Sequence, residues 1–317
     1  MKYLTVILRW IRYRISVFAL VLVSCLPYRP VLFLLRSLAA IAWLADPFHR
    51  KIATIQMRTA LGLNTVWPHV LKVFMNQADI LVDTLKYSYL TKEELRARVR
   101  IEGKEHLDEA LETGRGIMMI TGHIGNWEIL VHIPHILGTP FSVMADVRKD
   151  PLLESIVEKI RSRSGATILP PKGMARMLIR ELKKGRIIGM VIDERGDLHG
   201  GLFCDVFGMP APTNRAPAFI ALKGNALVLP VYAVKISGLY HIVFSKSVDT
   251  AAYKSHDDAI SSLSSFMQSW ITTVVKEHPH QWFWLYSRWI NRSCFKKNIK
   301  GVEDFLKCVL SQAGSIT

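Results

Sequence analysis

The residues best suited to chemistry lie in one short run, Ile120-Thr121-Gly122-His123-Ile124-Gly125-Asn126-Trp127-Glu128. A polar cluster directly after an apolar strand occupies the position where open α/β sheets place their ligand sites. His123 and Glu128 are five residues apart. On one α-helix that spacing turns through about 500° and points the two side chains about 140° apart. They meet only if His123 ends the strand, Gly122 and Gly125 allow a tight turn, and Asn126 caps a helix whose first turn carries Glu128. A carboxylate beside the imidazole fixes its tautomer, raises its basicity and stabilises the imidazolium. Such a pair removes a proton from a hydroxyl.

There is no Gly-x-Ser-x-Gly elbow, no P-loop and no cysteine near the pair, so nothing points to a covalent enzyme intermediate. The base would activate a substrate's own hydroxyl for direct attack on an acyl group, and the tetrahedral oxyanion then needs a donor or a cation. A competing arrangement takes Glu128, His132 and His135, at i, i+4 and i+7, together with His123 as a metal site. Pro134 disturbs that helix, and no His-Glu-x-x-His is present. A metallohydrolase, or a membrane-binding protein with a degenerate site, is therefore the alternative of a different class.

The elements that must position these residues follow from the pattern of the body. After a helical stretch over 49–98, apolar runs at 116–121, 141–145, 166–169 and 186–192 read as strands. Helical patterns at 126–137, 151–162 and 174–184 separate them, followed by a helix over 215–223. A strand pair is expected at 226–236 and 240–245, and a long helix at 257–277. Strands alternating with helices predict an α/β fold, a mixed sheet flanked by helices with right-handed crossovers.

Charge and hydropathy are distributed unevenly. The 317 residues carry 41 Lys and Arg against 26 Asp and Glu, a net +15, yet half of them are hydrophobic. Through residue 60 there are nine basic residues and one acid, Asp46; from Arg288 to Val302 there are five basic residues and no acid. The middle of the chain is nearly neutral. A basic chain this apolar fits an anionic membrane surface better than nucleic acid, and no RNP-like motif or zinc-finger spacing accompanies the basic residues.

Residues 15–28 are uncharged and the apolar pattern runs on to Ala45, broken by Pro27, Arg29, Pro30 and Arg36. We expect a membrane-anchoring helical segment over 1–46 and a catalytic domain over 47–317, the anchor either a tilted span or an interfacial helix pair. A signal peptide with a lipoprotein-like box at Leu22-Val23-Ser24-Cys25 and a plain core helix are the competing readings. Cys25, Cys204, Cys294 and Cys308 are widely spaced, as expected of free thiols in a reducing compartment.

The His-x4-Glu run resembles the motif of the glycerolipid acyltransferases. Its fuller form, Gly-His-Ile-Gly-Asn-Trp-Glu, is similar to that of the late acyltransferases of lipid A biosynthesis and their lipid-acylating relatives. Four further segments carry the resemblance along nearly the whole chain: Arg148-Lys149-Asp150-Pro151-Leu152-Leu153 with Arg161-Ser162-Arg163-Ser164-Gly165-Ala166, then Asp193-Glu194, Phe207-Gly208-Met209-Pro210-Ala211-Pro212-Thr213, and Pro279-His280-Gln281-Trp282-Phe283-Trp284-Leu285-Tyr286-Ser287-Arg288. Glu194 stands where the family usually has Gln, Tyr286 where a His is common, and Asn214-Arg215-Ala216-Pro217 replaces a small-residue turn.

The resemblance implies a glycerolipid acyltransferase-like sheet and an O-acyltransferase of the cytoplasmic face of a bacterial inner membrane. The implied donor is an acyl carrier protein thioester or acyl-CoA. The implied acceptor is a phosphorylated glycolipid, a lipid A precursor, with a lysophospholipid or a phosphatidylinositol mannoside as alternatives. No metal or cofactor is required. His123 is then the base and Glu128 its orienting carboxylate. Arg161, on a predicted helix, supports the oxyanion or a phosphate, Asp193 pairs with Arg161, and Arg148 is a candidate phosphate ligand. Trp282, Trp284 and Trp289 are expected in a core or interface, or, beside Arg288 and Arg292, on lipid headgroups.

Overall fold

The structure, a computed structural model, describes residue 14 and residues 25–144, 163–169, 175–197, 202–253, 258–297 and 299–314. Prolines and a glycine set the limits of the N-terminal helices. Helix α1 (Tyr28–Ala45) follows Pro27 and stops at Asp46. Asp46 then caps α2 (Pro47–Leu61), its side chain accepting from the His49 amide, while Pro47 fills the first turn and Gly62 closes the helix at φ 64°. Helix α3 (Trp67–Tyr87) again takes a proline, Pro68, in its first turn. Among the described residues, α1 is the one helix long and apolar enough to cross a membrane. It packs along α3 on one side and leaves Phe33, Leu34, Leu38, Ile41 and Leu44 exposed on the other.

The contact between α1 and α3 is polar at its centre. Arg36 forks onto the two oxygens of Asp79 at 2.7 and 2.6 Å. Asp83, fully buried, accepts from Tyr28 Oη at 2.8 Å, Lys235 Nζ at 2.7 Å and Tyr240 Oη at 2.6 Å. Three donors around one carboxylate supply what burial removed. Asp83→Ala strands the Lys235 ammonium, whose side chain is only 16% exposed. Removing one partner of such a pair is expected to cost about 3–5 kcal/mol, read as a lower urea midpoint with an unchanged slope.

The chain continues through α4 (Lys92–Arg96), β1 (Val99–Glu102), α5 (Lys104–Glu112) and β2 (Ile117–Thr121). A 3₁₀ helix (Trp127–His132), α6 (Ile133–Leu137), β3 (Ser142–Met144), β4 (Thr167–Leu169), α7 (Ala175–Lys183) and β5 (Ile187–Val191) follow. Next come the hairpin of β6 (Leu202–Val206) and β7 (Met209–Thr213), then α8 (Ala216–Gly224), β8 (Leu227–Ile236), β9 (Leu239–Phe244) and β10 (Val248–Asp249). Helices α9 (Ala259–Glu277), α10 (Arg292–Lys297) and α11 (Val302–Gly314) complete the described chain.

Eight of these strands form one sheet in the order β1-β9-β8-β2-β5-β3-β4, with β10 on β8. β8 and β9 are antiparallel, whereas β2 lies parallel between β8 and β5. All five residues of β2 are buried, as a parallel strand covered on both faces requires, and this is why the run reads as unbroken apolar sequence. The expected mixed α/β sheet flanked by helices is what the chain forms. The segment expected as a helix over 126–137 divides into the 3₁₀ helix and α6, because Pro134 lacks the amide that would continue one ladder. β1, the β6–β7 hairpin and β10 were not expected, and the helix expected over 151–162 lies outside the described residues.

Candidate active site

The site is built by the register of two parallel strands. β2 and β5 pair Thr121 with Val191. Two residues beyond that pair stand His123 and Asp193, side by side at the carboxyl ends of adjacent strands. The His123 amide donates to Asp193 Oδ2 at 2.7 Å, and His123 Nδ1 lies 2.8 Å from Asp193 Oδ1. The Trp282 indole N–H donates to the same Oδ2 at 2.7 Å. Gly122 makes room for this: a Cβ there would sit 2.7 Å from Ile271 Cδ1 and 3.0 Å from Asp193 Oδ2.

Backbone bonds hold the loop that carries the histidine. The Phe283 amide donates to the His123 carbonyl at 3.1 Å, Gly125 N to Gln281 O at 2.7 Å, and Asn126 N to Ala233 O at 2.9 Å. Gly125 has φ 55°, and a Cβ there would collide with the Ala233 carbonyl, so the turn needs glycine on both counts. Asn126 caps the 3₁₀ helix, its side chain accepting from the Glu128 amide at 3.1 Å. The turn and the cap expected around His123 are therefore present, on a tighter helix.

Charge is arranged around the imidazole. Burial alone would push the His123 pKa down, but the Asp193 charge and hydrogen bond, with smaller pulls from Glu194 and Glu128, raise it above the usual histidine value. Burial would likewise raise Asp193, and the His123 charge with hydrogen bonds from His123 and Trp282 holds its carboxyl below the usual range. Asp193 is 2% exposed and His123 22%, so the carboxylate is the inner member of the pair and the imidazole the outer one. The ion pair favours folding at intermediate pH. Its contribution is lost as pH falls through the Asp193 carboxyl or rises through the His123 imidazole. With Nδ1 committed to Asp193, Nε2 is the nitrogen left to take a proton.

Aromatic rings and one further carboxylate surround Nε2. Trp127 meets the imidazole edge-on with centroids 4.7 Å apart, and Phe283 lies at 6.1 Å. Glu194 Oε1 is 3.9 Å from Nε2, on a side chain that is 66% exposed. Glu194→Gln is expected to move the acid limb of the activity profile to lower pH, because the neutral amide no longer favours the imidazolium and the base form appears sooner. The plateau rate should stay within about threefold, as for an exposed, screened charge; a pH–rate profile of kcat checks both. Tyr286 Oη accepts from the Arg195 amide at 3.2 Å and so steadies the segment that carries Glu194. A cavity of about 200 Å³, lined by Asp46, His49, Phe74, Phe283, Leu285, Tyr286 and Arg292, adjoins this wall through Phe283.

The carboxylate on His123 Nδ1 is thus Asp193, where Glu128 was expected. The reason is the sheet order: β5 neighbours β2, and their ends coincide. Glu128 acts on His123 through space more weakly than Glu194 does. Arg161, expected to pair with Asp193, and Arg148 lie outside the described residues. Among the described residues no group of three or more His, Cys, Asp or Glu side chains is arranged to hold a metal. His132 is buried with its Nδ1 lacking a described partner, and burial takes its pKa down to about 4.

Trp282, Trp284 and Trp289 are core residues and do not rest on headgroups. Arg288 is buried too, donating to Pro212 O, to Thr213 Oγ1 at 2.9 Å and to Gln268 Oε1 at 3.1 Å. The contribution of Trp282 to the site was not legible in the chain, since an indole in an aromatic run carries no sign of which polar group it will meet.

Comparison with known proteins bears on the family of the chain. A family model described as bacterial lipid A biosynthesis acyltransferase matches residues 2–291. The chain is 23% identical over 195 residues to a phosphatidylinositol mannoside acyltransferase of Mycobacterium tuberculosis, covering 60% of each chain. It is 25% identical over 191 residues to the protein of that name from Mycolicibacterium smegmatis, covering 59% of this chain and 60% of that one. It is 22% identical over 218 residues to a lipid A biosynthesis acyltransferase of Haemophilus influenzae, covering 68% and 66%. The chain spans about 60% of the length of the first of these relatives.

Proposed function

The chain belongs to the bacterial lipid A biosynthesis acyltransferase family, and from that premise we propose that it is a membrane-associated O-acyltransferase acting on a glycolipid hydroxyl. The observation that carries the reading is the buried Asp193 on Nδ1 of His123, which leaves Nε2 directed outward as a base. Nε2 takes the proton of the acceptor hydroxyl as its oxygen attacks the acyl carbonyl of a thioester. The tetrahedral oxyanion collapses with expulsion of the thiolate, which takes the proton back from the imidazolium. An ester and a free thiol result, and Asp193 stabilises the imidazolium between the two transfers. Glu128 adds negative potential to the same ring. Arg161 and Arg148 are the cations we assign to the oxyanion and to a substrate phosphate.

The acceptor is a phosphorylated glycolipid, with a lipid A precursor as the first reading. A phosphatidylinositol mannoside is the second, favoured by the names of the mycobacterial relatives. The donor is an acyl carrier protein thioester or acyl-CoA. The exposed apolar face of α1 supports a membrane seat. The free state of the four cysteines supports the cytoplasmic side. The test is acyl transfer by the purified full chain from each thioester to lipid A precursor, phosphatidylinositol mannoside and lysophospholipid, read by mass spectrometry. One added acyl chain on a glycolipid is expected. Hydrolysis that depends on bound zinc, or no transfer to any lipid hydroxyl, would overturn the reading.

A further inference from the structure

Away from His123, a second cavity of about 450 Å³ opens between the end of α1, one face of α2, the start of α3 and the segment before α11. Its composition is distinctive. Pro47, Arg50, Lys51, Thr54 and Arg58 line it from α2, at spacings of three and four residues that put them on one helical face. The opposite face of the same helix, Ile52, Ala53, Gln56 and Met57, is buried in the core. Lys300 adds a fourth cation from across the opening, and Trp43 and Trp67 form its aromatic walls. No Asp or Glu lines the cavity.

Three of these cations hold only neutral groups, and at the fourth residue it is the Lys300 amide, not its ammonium, that donates to Asp304 Oδ2, at 2.9 Å. Arg50 donates to the Trp43 carbonyl and to the Leu44 carbonyl at 3.0 Å, closing the end of α1. Lys51 reaches Phe295 O and Arg58 reaches Asn64 O, each at 3.5 Å. Among the described residues none of the four is in an ion pair, whereas Lys104, Arg115, Lys235 and Lys307 elsewhere each have a carboxylate. Four uncompensated charges around one concavity favour a compact anion.

The position of the cavity says where that anion comes from. The exposed row of α1, from Phe33 and Leu34 through Leu38 and Ile41 to Leu44, ends at Trp43 on the rim. A helix of 18 residues is about 27 Å long, close to the hydrocarbon thickness of a bilayer. A lipid lying against this row would carry its headgroup to the cleft, where Trp43 and the exposed Trp67 suit the interfacial layer. We propose that the cleft of Arg50, Lys51, Arg58 and Lys300 binds the phosphodiester headgroup of an anionic phospholipid and so seats the protein on the membrane. A folded carrier protein presents a convex surface to a concavity of this size and fits it less well. The proposal takes from the preceding section only that α1 meets a membrane; it is independent of the acyl-transfer chemistry.

The experiment is co-sedimentation of the full chain with phosphatidylcholine vesicles, with or without phosphatidylglycerol. The readout is the ratio of the two affinities, since the apolar face of α1 contributes to both. The wild type and a His123→Ala variant should prefer the phosphatidylglycerol vesicles equally. Changing Arg50, Lys51, Arg58 and Lys300 together to alanine should reduce that preference by at least about tenfold. The milder pair Arg58→Ala with Lys300→Ala, both exposed residues, should reduce it in the same direction without risk to the fold. A control removing four other exposed cations, Lys92, Arg176, Lys183 and Lys223, should change it by less than about threefold. Equal loss in control and cleft variants would overturn the proposal in favour of diffuse charge. Inorganic phosphate binding the cleft as tightly as the vesicles would overturn it in favour of a free-anion site. Loss of acyl carrier protein binding with vesicle preference intact would overturn it in favour of a protein partner. Activity retained by His123→Ala would refute the catalytic reading and leave this one standing.

Discussion

Replacing His123 by alanine is expected to lower kcat for acyl transfer by about 10³- to 10⁴-fold, with KM for donor and acceptor within about threefold. The loss falls on kcat because Nε2 acts on the proton that moves in the transition state, while binding is left to other groups. The variant should remain folded. Asp193 keeps two of its three donors, the backbone amide of residue 123 and the Trp282 indole, so its buried carboxylate stays hydrogen-bonded and the cost to stability is the lost ion pair with His123. Steady-state kinetics together with a thermal melt make the distinction. A variant that melts like the wild type yet turns over at more than about a tenth of its rate would place the base elsewhere.

Asp193→Asn is the second large effect, with kcat lower by about 10²- to 10⁴-fold. Three N–H donors converge on the two carboxylate oxygens: the His123 amide, His123 Nδ1 and Trp282 Nε1. Asparagine offers one acceptor oxygen and one NH2, so the Nδ1–H must either face that NH2 or give up its proton to Nε2. An imidazole that meets the NH2 turns its Nδ1 into an acceptor and protonates Nε2, the wrong tautomer for a base. The variant should also lose about 1–3 kcal/mol of stability for each donor left unpaired. The sign of the pH effect separates this from simple misfolding. Without the negative charge the imidazolium is less favoured, so the acid limb of kcat moves to lower pH even as the plateau falls. Glu194→Gln should move the limb the same way without the fall. An unshifted limb in Asp193→Asn would mean that His123 is not the titrating base.

Much of the architecture was legible because the signals were local. The apolar run of β2, the capped turn at Gly125 and Asn126, the strand pair β8–β9 and the long α9 each announce themselves within about twenty residues. The β6–β7 hairpin did not. Pro210 and Pro212 in β7 argue against a strand, and they are tolerated because β6 and β7 form a sheet of only two strands. Its two-residue turn puts Phe207 at φ 57° and Gly208 at φ 75°, a conformation that phenylalanine rarely adopts. The ring is held there against Trp282, Trp284 and Trp289, at 6.1, 5.9 and 6.4 Å. That support comes from residues some 75–82 positions away.

The same distinction explains the site. His123 and its turn are local and were found. Asp193 was found as a polar residue ending a strand, but its partner depends on which strands are neighbours. The order β8-β2-β5 is a property of the folded sheet. Arg36 with Asp79, and Tyr28 with Asp83, are long-range in the same way: each links a helix read as apolar to carboxylates that look like ordinary helix charges.

The shared register of β2 and β5 also bears on how this site can change over generations. Both members of the pair stand two residues past a matched strand position, so counting along the chain matters as much as side-chain identity. A single-residue insertion or deletion between Thr121 and His123, or between Val191 and Asp193, would send one side chain to the opposite face of the sheet. The pair would be lost although every residue type was kept. By contrast, the exposed turn at Gly138 and the surface around Gly114, where an added Cβ meets nothing, can absorb changes of length. The gene should therefore tolerate gaps at the rim and accept only substitutions at these two strand ends, an asymmetry that a library of single-codon deletions would display directly.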